Sequence, residues 1–164
     1  MQILQTQRLS LREFVPEDVN ALAAILSDLE TMQYYPVSFN HAAVVDWIAR
    51  NRARYANDGY GLWAMILNFT GELIGDCGLV RQTVDGTDEI EIGYHVRRDQ
   101  WGHGYASEAA RACRDYGFAN LKVDKLISLI RPENIASPRR KEWHDDMERS
   151  HQSESATLRL RNQA

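Results

Sequence analysis

Long apolar runs, metal-ligand spacings and an excess of basic charge are all missing from this chain of 164 residues. No window approaches the roughly 18 uninterrupted apolar residues of a membrane-spanning helix, so none is expected. There is no CxxC and no HExxH, and the five histidines are scattered, which leaves no spacing for a metal centre. A net charge of −4 argues against nucleic-acid binding through a basic face, although a local cationic pocket for phosphate stays allowed. Met1 to Phe14 shows no cationic segment leading into an apolar run, which speaks against a secretory signal. With only two cysteines, Cys77 and Cys113, reduced thiols filling core space are expected, a catalytic thiol being the alternative. At 44% hydrophobic and 26% charged residues, the composition is that of one globular domain, expected to be a cytoplasmic enzyme or binding domain.

The apolar periodicity alternates between the two secondary-structure periods. Arg8 to Phe14 reads as a strand, and Pro16 opens a helix whose Val19, Leu22, Ile25 and Leu26 follow helical spacing. A second helix follows Asn40, with Val44, Trp47, Ile48 and Tyr55 on one side and Gly59 as its stop. Leu62 to Leu67, Glu72 to Val80 and Asp88 to Val96 read as strands joined by turns at 68–71 and at Asp85-Gly86. A third helix is expected from about Ser107 to Phe118, then a short strand from Leu126 to Ile130. The order predicts an α+β, mixed three-layer plan without repeats.

Between Glu89 and Ala110 a strand runs into a loop with Gly102 and Gly104 and then into a helix. Glycines allow a tight turn and close approach of a ligand, and the free amides opening a helix favour an anion such as pyrophosphate. A plain tight turn is the competing reading. A dinucleotide fingerprint also uses strand, glycine turn and helix, and Asp124 stands where a ribose ligand is expected. Against it, Ser107 replaces the third glycine and the preceding strand alternates charged with apolar residues. A P-loop is excluded because no Gly-Lys-Ser/Thr ending is present.

The chain resembles the GNAT superfamily of N-acetyltransferases, in the branch of ribosomal-protein N-terminal acetyltransferases and their small-molecule relatives. The likeness is carried by Thr6-Gln-Arg-Leu-Ser-Leu-Arg12, Asp18, Ile74-Gly-Asp-Cys-Gly-Leu79, Glu91-Ile-Gly-Tyr94, Trp101-Gly-His-Gly-Tyr-Ala-Ser-Glu-Ala109 and Arg131-Pro-Glu-Asn-Ile-Ala-Ser137. It implies a GNAT-like acyl-CoA N-acyltransferase fold with a central, mostly antiparallel sheet, and acetyl-CoA as co-substrate without a metal. The family loop, Arg/Gln-x-x-Gly-x-Gly/Ala, matches Gly104 and Ala106 but puts Trp101 at its first position, which removes one side-chain contact. The cofactor-binding residues implied are Tyr94, His95, Val96, Trp101, Gly102, His103, Gly104, Tyr105, Ala106, Ser107 and Asn134. Pyrophosphate would lie over 102–106 and pantetheine along the strand edge from Gly93 to Val96.

Acetyl transfer to an amine needs a neutral amine, a polarised thioester carbonyl and an acid for the leaving thiolate. Strand alternation places Glu91, Gly93 and His95 on one face. Glu91 is the first candidate for the base, through water, because the matching carboxylate often has that role in the family; a solvated strand carboxylate is the alternative. His95 is the second candidate, since imidazole titrates near neutrality, against a packed or exposed histidine. Ser137 is a candidate proton donor to the CoA sulfur by the resemblance, or a helix N-cap before Pro138. Tyr34, Tyr35, Tyr60 and Trp63 could line the acceptor pocket, or simply pack.

After Ser137 the family pattern is lost, and no pair of closing strands is visible in 138–164. Codons compatible with Lys141 to Asp145, AAA-GAA-TGG-CAT-GAC, read one nucleotide later give Lys-Asn-Gly-Met, the family's usual turn, so the end is read as divergent or frameshifted. Residues 1–137 are thus expected to form the acetyltransferase domain and 138–164 an atypical tail, helical near Trp143 and Met147, with closing strands missing or altered. An unpaired sheet edge would favour a homodimer. The function expected is acetyl transfer from acetyl-CoA to a primary amine, a protein N-terminus or small molecule, directly in a ternary complex. A catalytically impaired CoA-binding module is the alternative.

Overall fold

The computed structural model describes residues 1–35, 38–130 and 157–162. The chain opens with a strand not foreseen from the sequence, β1 (Gln2–Gln5), paired antiparallel with β2 (Leu9–Arg12). A 3₁₀ turn at Pro16–Asp18 leads into α1 (Val19–Leu26). Arg12 fixes that entry, donating to both Asp18 carboxylate oxygens at 2.7 and 2.8 Å, while Asp18 Oδ2 also accepts the Val15 N–H at 2.9 Å. α2 (His41–Asp58) is bounded by the expected signals. The Asn40 side chain accepts the Ala43 N–H at 2.8 Å, and Gly59 closes the helix at φ 80°, a left-handed conformation costly for other residues.

Three hairpin-linked strands follow: β3 (Leu62–Leu67), β4 (Leu73–Val84) and β5 (Thr87–Val96). Asp85 and Gly86 both take positive φ, 51° and 74°, as a two-residue hairpin turn of matching twist requires. This turn sets the β4–β5 register from Val84↔Thr87 inward to Asp76↔His95 and Gly75↔Val96. α3 (Tyr105–Asn120) then crosses over to β6 (Lys125–Ile130), which lies parallel to β5.

The sheet has seven strands in the order β1-β2-β3-β4-β5-β6-β7, antiparallel from β1 to β5 and parallel beyond. On one face the buried cluster combines Leu11, Trp63, Cys77, Leu79 and Ile92 with Ala109, Ala110 and Cys113 of α3. On the other, Phe14 and Ala64 pack with Leu22, Ile25 and Leu26 of α1 and Val44 and Ile48 of α2. Helices on both faces of one sheet give the expected α+β, three-layer plan. Cys77 and Cys113 are buried free thiols whose sulfurs lie 3.6 Å apart in the α3-side core. Burial pushes the Cys77 thiol pKa up, so it stays protonated, and an inert core thiol is what the structure shows.

The end of the chain corrects one expectation. Thr157–Asn162 forms β7, parallel to β6 in a register running from Lys125↔Thr157 to Ile130↔Asn162. The alternation Leu158, Arg159, Leu160, Arg161 is the strand period, and counting its leucines as isolated apolar residues missed it. The expected helix near Trp143 and Met147 lies outside the described residues. Among the described residues no helix is long and apolar enough to cross a membrane.

Candidate active site

The candidate site lies where β5 leaves β6. The register joins these strands at one position, Glu91↔Ile127, with the Ser128 hydroxyl donating to the Ile92 carbonyl at 3.2 Å just beyond. Past that vertex, Gly93 to Val96 pair with β4 on one side, and no pairing with β6 is made on the other. A parallel pair that separates in this way turns one edge of β5 away from the described part of β6, and at the end of that edge the Val96 carbonyl accepts the Trp101 indole N–H.

Beyond Val96 the chain makes a 3₁₀ turn at Arg98–Gln100 and reaches the glycine loop. Gly102 and Gly104 have φ 79° and 80°, and Gly104 is the residue from which α3 begins. No atom of the described residues lies within 4 Å of where a Gly102 Cβ would stand. The amides of the first turn of α3 have no helical partner and carry the positive end of its dipole, which suits a phosphate.

Trp101 folds back from the loop, its indole N–H donating to the Val96 carbonyl at 2.8 Å. The departure from the family's Arg or Gln at this position therefore ties the loop to the end of β5. A cation arrives from elsewhere. Arg8, at the β1–β2 turn, donates through Nη1 to the His103 carbonyl at 2.9 Å and through Nε to Glu108 at 2.6 Å, and its guanidinium lies 4.6 Å from the Tyr105 ring centroid. His103 stacks on the other ring partner, Tyr105, at 5.8 Å. Ala106 and Ser107 continue the first turn of α3.

Glu108 anchors this assembly, accepting the Thr6 hydroxyl at 2.6 Å and the Arg8 backbone N–H at 2.9 Å besides the guanidinium. Burial opposes its ionisation, but the Thr6 and Arg8 hydrogen bonds and the Arg8 charge outweigh it and hold the carboxyl below its usual pKa. A depressed folded-state pKa adds stability above the ordinary carboxylate value near about 4.3, and that stability is lost as pH falls through the depressed value. Glu108→Gln is therefore expected to melt below the wild type at neutral pH, with the gap closing in acid. Thermal melts of both proteins across pH check this, and a gap independent of pH would contradict it.

On the opposite face of β5, toward α1 and α2, stand Glu91 and His95. Glu91 Oε2 accepts the Gln82 side-chain amide at 2.9 Å. His95 is 7% exposed, and its Nδ1 lies 2.7 Å from Oδ1 of Asp76, which is completely buried on β4. Trp47 of α2 closes the other side of that carboxylate, donating its indole N–H to Oδ2 at 3.0 Å. Tyr35 covers the His95 ring at 4.9 Å between centroids. Desolvation of its phenol, then the charges of Asp76 and Glu91 and the nearby Tyr94, push the Tyr35 pKa up and keep the hydroxyl protonated.

The structure thus brings Glu91, His95 and Tyr35 together and places the loop residues 101–107 at the far end of the same strand edge. Tyr94 turns its side chain to the α3-side core. Trp63 is not brought to the acceptor face: it is 1% exposed in the α3-side core, edge-on to Tyr116 at 5.3 Å. Tyr60 is likewise buried on that side. Asn134 and Ser137 lie outside the described residues, and among the described ones no three His, Cys, Asp or Glu side chains converge as metal ligands do. Asp76, Trp47 and Arg8, which contact the candidate residues or the loop, are not singled out by the sequence.

An anion cradle at one end of an opened strand edge, with proton-handling side chains on the adjoining face, suits an enzyme that transfers an acyl group from a phosphate-bearing carrier. Comparison with known proteins makes the class definite: the family described as acetyltransferase (GNAT) domain matches residues 8–140, and the chain belongs to that family. It is 39% identical over 137 residues to the uncharacterized protein YkkB of Bacillus subtilis (strain 168), covering 83% of this chain and 80% of that one. It is 33% identical over 144 residues to the uncharacterized N-acetyltransferase p20 of Bacillus licheniformis, covering 84% and 78%. Among solved structures it is similar to an acetyltransferase (GNAT family) from Bacillus anthracis, with a TM-score of 0.67 and 30% identity over 82% of this chain and 76% of that one.

Proposed function

We propose that this acetyltransferase moves an acetyl group from acetyl-CoA to a primary amine, a protein N-terminus or small molecule, directly within a ternary complex in the cytoplasm. The observation that carries the reading is the parting of β5 from β6 past Glu91↔Ile127, with β5 running on into the glycine loop that starts α3. Loop amides 102–106 beside the Arg8 guanidinium suit pyrophosphate, and pantetheine would lie along the outward edge of β5 from Gly93 to Val96, with the His95 backbone itself turned to β4. Asn134 would steady the same arm. When bound, acetyl-CoA supplies the thioester. The chain's residues do the rest by holding it against the amine and by managing one proton.

Glu91 and His95 face the acceptor side. The carboxylate draws in the ammonium form of the amine through water, His95 takes the proton that makes it a nucleophile, and the resemblance offers Ser137 as proton donor to the leaving sulfur. Tyr34 and Tyr35 form the wall against which the amine's carrier lies. The acetyltransferase unit comprises residues 1–137, with 138–164 as a tail that adds β7, and a second copy of the chain would pair at that edge strand.

Initial rates of thiol release, with acetyl-CoA and an N-terminal-serine peptide or 1,4-diaminobutane both varied, test the reading. Intersecting lines are expected for a ternary complex. Parallel lines would mean an acetyl-enzyme instead, and CoA binding without any turnover would favour a CoA-binding module.

A further inference from the structure

Asp76 stands in the strand segment Ile74-Gly-Asp-Cys-Gly-Leu79 and has no exposed surface. A buried carboxylate survives only when donors surround it. Oδ1 accepts the His95 backbone N–H at 3.0 Å and faces the ring Nδ1 at 2.7 Å, while Oδ2 accepts the Trp47 indole at 3.0 Å. Indole and backbone N–H groups only donate, so both oxygens serve as acceptors, and with an ionised carboxylate the ring contact is Nδ1–H to Oδ1. A neutral imidazole that donates from Nδ1 keeps its lone pair on Nε2, and Nε2 makes no hydrogen bond among the described residues.

The pair is built into the fold. Asp76 and His95 are direct cross-strand partners, and the two backbones come so close there that a Cβ on Gly75 would run into the His95 carbonyl oxygen. The ring is held between Tyr35 and the edge of Trp47, with centroids at 4.9 and 5.7 Å. Among the described residues, the titratable and charged groups around it are Asp76 of β4, Glu91 on its own face of β5, Tyr35 from the segment before α2, and, from α2, Arg50 over the Trp47 ring, Arg54 toward Glu91 and Tyr55 toward Asp76. The α2 residue against the ring itself is the uncharged Trp47.

Resting on the acetyl-transfer reading, we propose that Asp76 is a positioning residue that fixes His95 as the Nδ1–H tautomer, so that Nε2 takes the proton from the acceptor amine. As the C–N bond forms and the C–S bond breaks, one amine proton passes to Nε2. The CoA sulfur leaves as thiolate and takes up a proton from water, and the imidazolium afterwards gives its proton back to water. Amine plus thioester becomes amide plus thiol, with no proton gained or lost.

The test combines ¹⁵N spectra of the His95 ring with kinetics, on the full-length wild type and Asp76→Asn. In the wild type, Nδ1 should carry the proton and Nε2 should be bare when the ring is neutral. In Asp76→Asn the balance should move toward Nε2–H. For acetyl-CoA with an N-terminal-serine peptide, kcat should fall on the order of 10²-fold with the KM for acetyl-CoA nearly unchanged, and the acid limb of the pH profile should move. In a His95→Gln background the same change should cost little more.

An Nε2–H ring in the wild type overturns the proposal even if Asp76→Asn fails to fold. A folded Asp76→Asn with unchanged tautomer, kcat and pH profile overturns it equally. Absence of thiol release by the wild type with every amine tried strikes instead at the acetyl-transfer reading.

Discussion

His95→Gln should lower kcat on the order of 10²-fold while leaving CoA affinity almost intact, because glutamine fills similar space and can still hydrogen-bond Asp76 but cannot hold a proton at Nε2. Its acid limb in the pH profile should disappear with the imidazole. Glu91→Gln is the companion: it keeps the shape and the contact with Gln82 and loses only the charge. If Glu91 draws in the ammonium form, its loss should raise KM for the amine more than it lowers kcat. Steady-state kinetics on both variants across pH separate the two. Full activity in His95→Gln together with a kcat collapse in Glu91→Gln would hand the base role to the carboxylate.

The second large effect is expected at Gly104. Its φ of 80° is a conformation that a β-branched residue adopts only at a cost of about 1–3 kcal/mol. Space is not the obstacle: among the described residues the one atom within 4 Å of the would-be Cβ is Arg8 Nη2, at 3.6 Å. The strain in Gly104→Val is therefore relieved by turning the backbone of the loop, and that turn moves the amides off the pyrophosphate. Calorimetric titration with CoA should show affinity weakened by about tenfold or more, on the scale of about 1.4 kcal/mol per decade, with a smaller loss for Gly104→Ala. Unchanged affinity in Gly104→Val would remove this loop from the phosphate site.

Most of the scaffold was legible because its signals are local. Asn40 and Gly59 bound α2, Asp85-Gly86 turns the hairpin, and the glycine loop opens α3. Two strands were not read: β1 carries only Ile3 and Leu4 between polar residues, and β7 is a short alternation in an otherwise polar stretch. The layout of the candidate site was legible in part. Glu91 and His95 follow from strand alternation, but the partner that orients His95 comes from another strand.

That partner was nonetheless within reach of the sequence. Counting outward from the Asp85-Gly86 turn, Val84 pairs with Thr87, and the same steps bring Asp76 opposite His95. An aspartate inside a run as apolar as Ile74 to Val80 is a buried charge in need of a donor, and the register names it. Arg8 was beyond such reasoning, because Glu108 lies 100 residues away and only the packing of α3 across the sheet joins them. Trp101, too, revealed its role only through its bond to Val96.

The central claim is that an amine is acetylated at the expense of acetyl-CoA held along β5. Incubating the wild type with acetyl-CoA labelled in its acetyl carbonyl, with the N-terminal-serine peptide and 1,4-diaminobutane as acceptors, and weighing the amines by mass spectrometry measures this without intermediaries. The account predicts a labelled N-acetyl product formed in proportion to enzyme, with one thiol released for each acetyl group transferred. CoA that binds tightly to the protein while neither amine gains the label would contradict it.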